Sequence, residues 1–256
     1  MKLTAREQTT AALYADLHAH VSDTYALEYL LPGFRTHLVQ LGLSPETALK
    51  GLETLDAGCG GFGGGVAVAL ALGAATATGI DFSEANIAAA RTRFALEPRA
   101  RFQVENLLDI QISDGTFDFV YCNGVLMITE DPERAFRELV RVLKPGGRIY
   151  LGVYGRGGLF NELAVPAMKL AGRLVPRPVT ACMLRPFPWL LKPSSSLMDF
   201  MYVPVEIHYR IPEVEAFFTR AGMQPAFLRH YRQPDTWWSR LLFGNGTMIF
   251  FSAVKP

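Results

Sequence analysis

Between Leu52 and Tyr154 short apolar runs alternate with segments of helical character, and this alternation restricts the fold more than any other feature of the chain. The runs "LETLDA", "TATGID", "RFQVE", "FDFVYC" and "RIYLGVY" read as strands. Strands separated by helices need crossover connections, which makes neighbours parallel. Helices fit "GGGVAVALAL", "SEANIAAARTRFAL" and "DPERAFRELVRVL", where Ser83 caps the second and Asp131 caps the third ahead of Pro132 at the first helical position. The turn "KPGGR" ends that last helix and feeds the fifth strand. The expected class is α/β with a largely parallel sheet.

The flanks have a different character. Residues 3–42 read as two N-terminal helices with a break near "LPG". Eight of the sixteen prolines fall between Pro166 and Pro212, so residues 155–212 form neither one continuous helix nor a central strand. Regular structure returns with a helix at "PEVEAFFTRAG" and strands at "AFLRHYR" and "TMIFFSAVK". All of this is expected to belong to one domain over residues 1–256: helices at 3–42, core at 52–154, cap insertion at 155–212, and final helix and strands at 213–256.

Charge and cysteine usage narrow the function. With 25 basic and 24 acidic residues the formal charge is +1, which lacks the electrostatic footprint of a nucleic-acid binder. Cys59, Cys122 and Cys182 have neither the spacing of a zinc site nor that of a disulfide framework, so no metal is expected and the reading is of reduced thiols in a cytoplasmic protein. The opening "MKLTAREQTTAALYADLHAH" has no apolar core of signal-peptide length, and "VAVALALGAA" is too short to span a bilayer.

The stretch "LDAGCGGFGGG" follows the first strand and contains Gly58, Gly60 and Gly63 at the spacing of a dinucleotide fingerprint. Asp56 argues against that ligand. A carboxylate at the end of the first strand repels a pyrophosphate and suits an ammonium group. Asp81 closes the second strand, where an acid accepts hydrogen bonds from both ribose hydroxyls, and Phe82 is placed to lie against a purine. Asn106 and the backbone of Leu107, after the third strand, are placed to read an adenine edge. These features specify an adenosine with a cationic, amino-bearing tail.

In order and spacing, "LDAGCGGFG", "GIDFS", "ENLLDIQISDGTFDFVYCNGVL" and "DPERAFRELVRVLKPGGRIYLGVY" resemble the successive motifs of class I S-adenosylmethionine-dependent methyltransferases. The resemblance implies a doubly wound, Rossmann-like sheet of seven mostly parallel strands, one of them antiparallel. It also implies S-adenosyl-L-methionine across the carboxyl ends of the first, second and fourth strands. Asp56, Gly58, Cys59, Gly60 and Gly63 would surround the methionine moiety, Asp81 and Phe82 the ribose and purine, Asn106 and Leu107 the adenine, and Asn123 the neighbourhood of the sulfonium. The chain departs from the family at Asn106, where Asp is frequent, and at Met127 and Ile128, where many relatives carry two histidines.

The cap insertion is where the family places substrate contacts, and here it mixes basic and bulky apolar residues. That composition suits a small, mostly apolar acceptor and leaves room for peripheral contact with a membrane surface. Substrate contacts are expected from Tyr25, Trp189, Phe200 and Tyr202. His208, with Glu206 and Tyr209 in "DFMYVPVEIHYR", is the catalytic group expected if a base is needed; His37 reads as a helix-surface residue. The expected reaction is methyl transfer to an oxygen, nitrogen or carbon acceptor. Two alternatives bind the same cofactor: an enzyme that promotes a cyclisation without transfer, and a nonenzymatic module.

Overall fold

The sheet has seven strands in the order β3-β2-β1-β4-β5-β7-β6. These are β1 Glu53–Ala57, β2 Thr76–Asp81, β3 Ala100–Val104, β4 Phe117–Asn123, β5 Leu143–Tyr154, β6 Ala226–Leu228 and β7 Met248–Val254. The first five pair in parallel, while β7 runs antiparallel to β5 and β6. The computed structural model describes residues 3–19, 21–22, 24–184, 186, 197–229, 236–244 and 248–256.

Alternating side chains of each strand feed two cores, as the two-residue period of a sheet buried on both faces requires. Leu55, Val120, Cys122, Ile149, Leu151 and Val153 meet α5 (Pro132–Val142) and α9 (Ile211–Arg220) through Phe136, Leu139, Val214 and Phe218. Phe119, Tyr121 and Tyr150 face the other way, toward α2 (Leu31–Gln40), α3 (Gly64–Ala71) and α4 (Glu84–Arg93). The expected caps form: Ser83 Oγ accepts the Asn86 N–H at 3.3 Å, and Asp131 Oδ1 accepts the Arg134 N–H at 2.9 Å.

The N-terminal break falls elsewhere than at "LPG". Helix α1 spans Ala5–Ala19, and a π-helical turn over Ala26–Leu30 runs directly into α2 with Pro32 in its first turn. The wide turn bonds Leu31 N–H to Ala26 O, five residues back, and so relieves the clash that a proline ring meets in a continuous α-helix. The same device recurs in the cap, where the π turn Phe160–Ala164 leads into α6 (Val165–Leu174) with Pro166 in its first turn. His37 is not a surface residue: it is buried, and its Nδ1 lies 2.8 Å from the Tyr150 hydroxyl.

"KPGG" does not turn away from the sheet. It forms a bulge within β5, between the pairs Phe117↔Leu143 and Phe119↔Arg148, and Gly146 N–H reaches Lys255 O at 2.8 Å. Gly146 has φ +77°, a conformation costly for other residues. The cap continues from α6 through α7 (Arg177–Leu184) and α8 (Leu197–Tyr202), after which Tyr209 bridges back to Gly155. Helix α10 (Trp237–Phe243) precedes β7. No described helix is long and apolar enough to cross a membrane.

Candidate active site

Strand order reverses between β1 and β4, which opens a crevice at their carboxyl ends, the place where doubly wound sheets bind ligands. The glycine loop floors that crevice. Gly58 and Cys59 donate their N–H groups to Ile80 O at 2.8 and 2.9 Å, which ties the loop to β2. A side chain at Gly58 is excluded twice over: φ is +81°, and a Cβ would stand 2.4 Å from Val125 Cγ2.

Gly60 and Gly63 shape the loop from outside the crevice. A Cβ on Gly60 would meet the His18 ring at 2.4 Å, and one on Gly63 would meet Phe94 at 2.7 Å. The glycines of this loop that line the crevice are Gly58, Gly64 and Gly65, and a Cβ on Gly65 would strike Asp56 at 2.5 Å. The latter two extend the sequence fingerprint by one unbroken glycine run.

Both acids stand where the strand ends put them. Asp81 is a hub: Oδ2 accepts Gly60 N–H at 3.0 Å, and Oδ1 accepts Ser83 N–H at 2.9 Å and Asn86 Nδ2 at 3.2 Å. It therefore holds the loop against the start of α4 while facing the crevice. Asp56 Oδ2 accepts Val66 N–H at 3.1 Å. Burial raises both carboxyls above their ordinary range, Asp56 to about 7, with Asp81 adding to that rise. Burial also raises the Cys59 thiol far above its usual value, so Cys59 is a neutral wall residue.

The crevice divides into two adjoining cavities of about 160 and 210 Å³ that share Tyr14, His18, Gly58, Phe62, Asn123 and Gly124. The first holds Asp81, Phe82, Asn106 and Leu107, and the second holds Asp56, Cys59, Tyr25, Tyr121, Tyr154 and Met248. No Lys or Arg is among the described residues lining the second. Asn106 donates Nδ2 to Glu7 Oε1 at 3.0 Å and accepts Leu108 N–H at 2.9 Å, so it also anchors α1 over the opening. Asn123 donates Nδ2 to the Tyr121 hydroxyl at 3.1 Å.

Sequence reasoning did not single out His18, which α1 contributes to the wall of both cavities. His18 Nδ1 accepts the Gly61 N–H at 3.3 Å, which leaves the ring proton on Nε2. Burial, with help from Arg93, lowers its pKa to about 4, so His18 is neutral. Phe62 packs edge-on to both His18 and Tyr25, at 4.9 and 5.8 Å between ring centroids. The signal available in sequence was the aromatic density of "YADLH" four residues apart, Tyr14 to His18, which shares one helix face.

The structure does not bring the expected catalytic group to this crevice. Residues 205–209 run extended beside the end of β5, with Ile207 N–H on Met127 O and Tyr209 N–H on Tyr154 O, both at 2.9 Å. Alternation then decides direction. Val205 lines the first cavity, and Ile207 and Tyr209 pack into the core, whereas Glu206 and His208 face a separate groove beside Lys169. There Glu206 Oε1 lies 2.9 Å from His208 Nε2 and Oε2 lies 2.6 Å from Lys169 Nζ. Burial opposes ionisation of Glu206, but these two partners outweigh it and hold its pKa below the ordinary value.

Tyr154 separates the two spaces, since it lines the second cavity and also lies 5.5 Å from the His208 ring. Phe200 is buried behind it at 5.5 Å, and Tyr202 ties its hydroxyl to Val175 O at 3.0 Å, so neither borders the crevice. Trp189 lies outside the described residues. At the position of the family's histidine pair, Met127 is buried in the core and Ile128 lines the first cavity.

Comparisons with known proteins agree with this architecture. The profile of the family described as a methyltransferase domain matches residues 55–151. The ubiquinone biosynthesis O-methyltransferase of Pseudomonas putida is 26% identical over 185 residues, covering 66% of this chain and 76% of that one. The arsenite methyltransferase of Aquipseudomonas alcaligenes is 31% identical over 133 residues, covering 48% of this chain and 38% of that one. A magnesium protoporphyrin IX methyltransferase from Synechocystis, solved with bound SAH, superposes with a TM-score of 0.59 at 18% identity over 98% of this chain and 96% of that one, a likeness of fold. Residues 55–151 thus carry a methyltransferase domain, and the motifs, sheet order and relatives support a class I S-adenosylmethionine-dependent methyltransferase.

Proposed function

We propose that the chain methylates a small, mostly apolar acceptor held in the second cavity, against Tyr25, Leu30, Tyr121, Tyr154 and Met248. The observation that carries this reading is the chemistry of that cavity: aromatic walls, no described Lys or Arg, and one buried carboxylate, Asp56, raised to about 7. A buried acid without a cationic side chain beside it suits the ammonium end of S-adenosylmethionine. Asp81 takes the ribose hydroxyls, Phe82, Asn106 and Leu107 take the adenine, and Asn123 stands at the passage between the cavities. The bound sulfonium supplies an activated methyl group.

What the chain itself adds is placement. Tyr25 and Phe62 close the cavity from the N-terminal side, and Tyr154 closes it from the cap side. Holding two reactants in line removes most of the entropy cost of their encounter. His18 is neutral with Nδ1 engaged, and burial keeps the Tyr121 phenol protonated, so neither side chain is a strong base at neutral pH. This favours acceptors that need orientation more than deprotonation. We place His208, Glu206 and Lys169 behind Tyr154 as positioning residues. The neutral overall charge favours a small-molecule acceptor over a nucleic acid.

Two measurements test the reading. S-adenosylhomocysteine should raise the melting temperature while NAD leaves it unchanged, because only a ligand bound by the native state stabilises it. Labelled S-adenosylmethionine should then pass its methyl to members of a panel of small aromatic acceptors, with Tyr25→Ala raising the acceptor KM. Transfer to polar acceptors alone would overturn the assignment of the cavity.

A further inference from the structure

The cap turns apolar side chains toward solvent. The π turn Phe160–Ala164 and α6 form one helical rod on which Leu163, Leu170 and Leu174 recur at seven and four residues, and therefore share a face. They are 65%, 56% and 73% exposed. Helix α10 adds Trp237 and Trp238, 62% and 60% exposed, with their rings stacked at 3.5 Å. The two elements adjoin, since the rings of Phe160 and Phe243 lie 5.8 Å apart and a Cβ on Gly158 would meet Gly244 N at 2.3 Å.

Charge is segregated in the same region. From Gly155 to Pro186 the sequence has five basic residues and one acid, Glu162, whereas from Asp235 to Gly244 it has one of each, Asp235 and Arg240. The chain as a whole is balanced, with 25 basic against 24 acidic residues. Lys169, Arg156 and Arg177 pair with Glu206, Glu162 and Asp16, whereas Arg173 has no carboxylate partner among the described residues.

We infer that this face docks on the anionic surface of a phospholipid bilayer. The tryptophan pair and the leucine row enter the headgroup boundary, and Arg173 faces lipid phosphate. Tryptophan has the mixed apolar and hydrogen-bonding character that this boundary favours, and a helix with leucines on one face and basic residues beside them is the form that lies in it. A second copy of the chain fits less well, because the one carboxylate on these elements, Glu162, already pairs with Arg156 and offers Arg173 of a second copy no partner. The docking is independent of which acceptor the crevice holds.

The test is co-sedimentation of the full chain with phosphatidylcholine vesicles, with and without phosphatidylglycerol. Binding is expected to the anionic vesicles and to weaken as salt is raised. The pairs Trp237→Ser with Trp238→Ser, and Leu170→Ser with Leu174→Ser, should each lower partitioning by about tenfold or more. Their melting temperatures and S-adenosylhomocysteine affinities should stay at wild type. Arg173→Glu should weaken binding to anionic vesicles alone. Failure of the wild-type chain to sediment with anionic vesicles at low salt would overturn the inference, as would folded double variants that bind undiminished. Self-association of the wild-type chain that the same substitutions abolish, without vesicle binding, would assign the face to a second copy instead.

Discussion

Cofactor affinity should rise with pH across neutrality, and Asp56 should be the reason. In the free protein burial holds this carboxyl up to about 7 from an ordinary 3.8. A raised carboxyl pKa subtracts from fold stability as pH climbs from the ordinary value through the raised one, and an ammonium group brought beside Asp56 reverses that loss by favouring the ionised form. Binding therefore releases a proton. If the bound state requires the carboxylate, its fraction in the free protein is about nine-tenths at pH 8 and about one-tenth at pH 6, so affinity should fall roughly tenfold between them, or about 1.4 kcal/mol. Calorimetry with S-adenosylhomocysteine checks this directly, and at pH 7 buffers of different ionisation enthalpy should report release of about half a proton. His18 stays neutral through this window, because its pKa is lowered to about 4. Asp81 is also raised, so Asp56→Asn separates the two acids: it should weaken binding and flatten the dependence. Equal wild-type affinities at pH 6 and 8, or an unchanged slope in Asp56→Asn, would refute the argument.

Asp81→Ala should cost both binding and stability, since the carboxylate accepts three internal hydrogen bonds as well as facing the crevice. Bonds to charged groups are worth about 1.5–3 kcal/mol each, so calorimetry should show at least roughly tenfold weaker S-adenosylhomocysteine binding together with a lower melting temperature. Gly58→Ala should destabilise by about 1–3 kcal/mol in urea titration, because the new methyl strains a left-handed backbone position and meets Val125. His208→Ala should reduce kcat less than about tenfold while lowering thermal stability through the loss of a partner for the fully buried Glu206. A hundredfold loss of kcat with an unchanged melting temperature would instead put His208 in the chemistry.

The sheet was readable because each strand carries its own signal. Apolar runs bounded by caps at Ser83 and Asp131 placed β1 to β5 to within a few residues, except where β5 begins at Leu143 through the bulge. Asp56 and Asp81 were readable for the same reason, as acids at strand ends that would otherwise continue apolar. The partition of the glycine loop was not. Whether Gly60 or Gly65 faces the ligand depends on what fills the space behind each, and His18 behind Gly60 comes from a helix more than forty residues upstream in the chain, whose docking leaves no local mark.

The cap shows the opposite case, a local signal that motif reasoning overran. "VEIHY", Val205 to Tyr209, alternates apolar and polar residues strictly, and a two-residue period means that Glu206 and His208 share one side while Val205, Ile207 and Tyr209 share the other. Grouping Glu206, His208 and Tyr209 as one reactive cluster ignores that period. The backbone bonds of Ile207 to Met127 and of Tyr209 to Tyr154 hold the segment extended beside the end of β5, so its polar side turns away from the core toward α6. There Lys169 meets Glu206, and His208 lies along the outer side of Tyr154 while the same tyrosine borders the cavity. The residues that look most reactive in sequence thus reach the crevice only through an aromatic wall, and it is Val205, the least reactive of the five, that lines it.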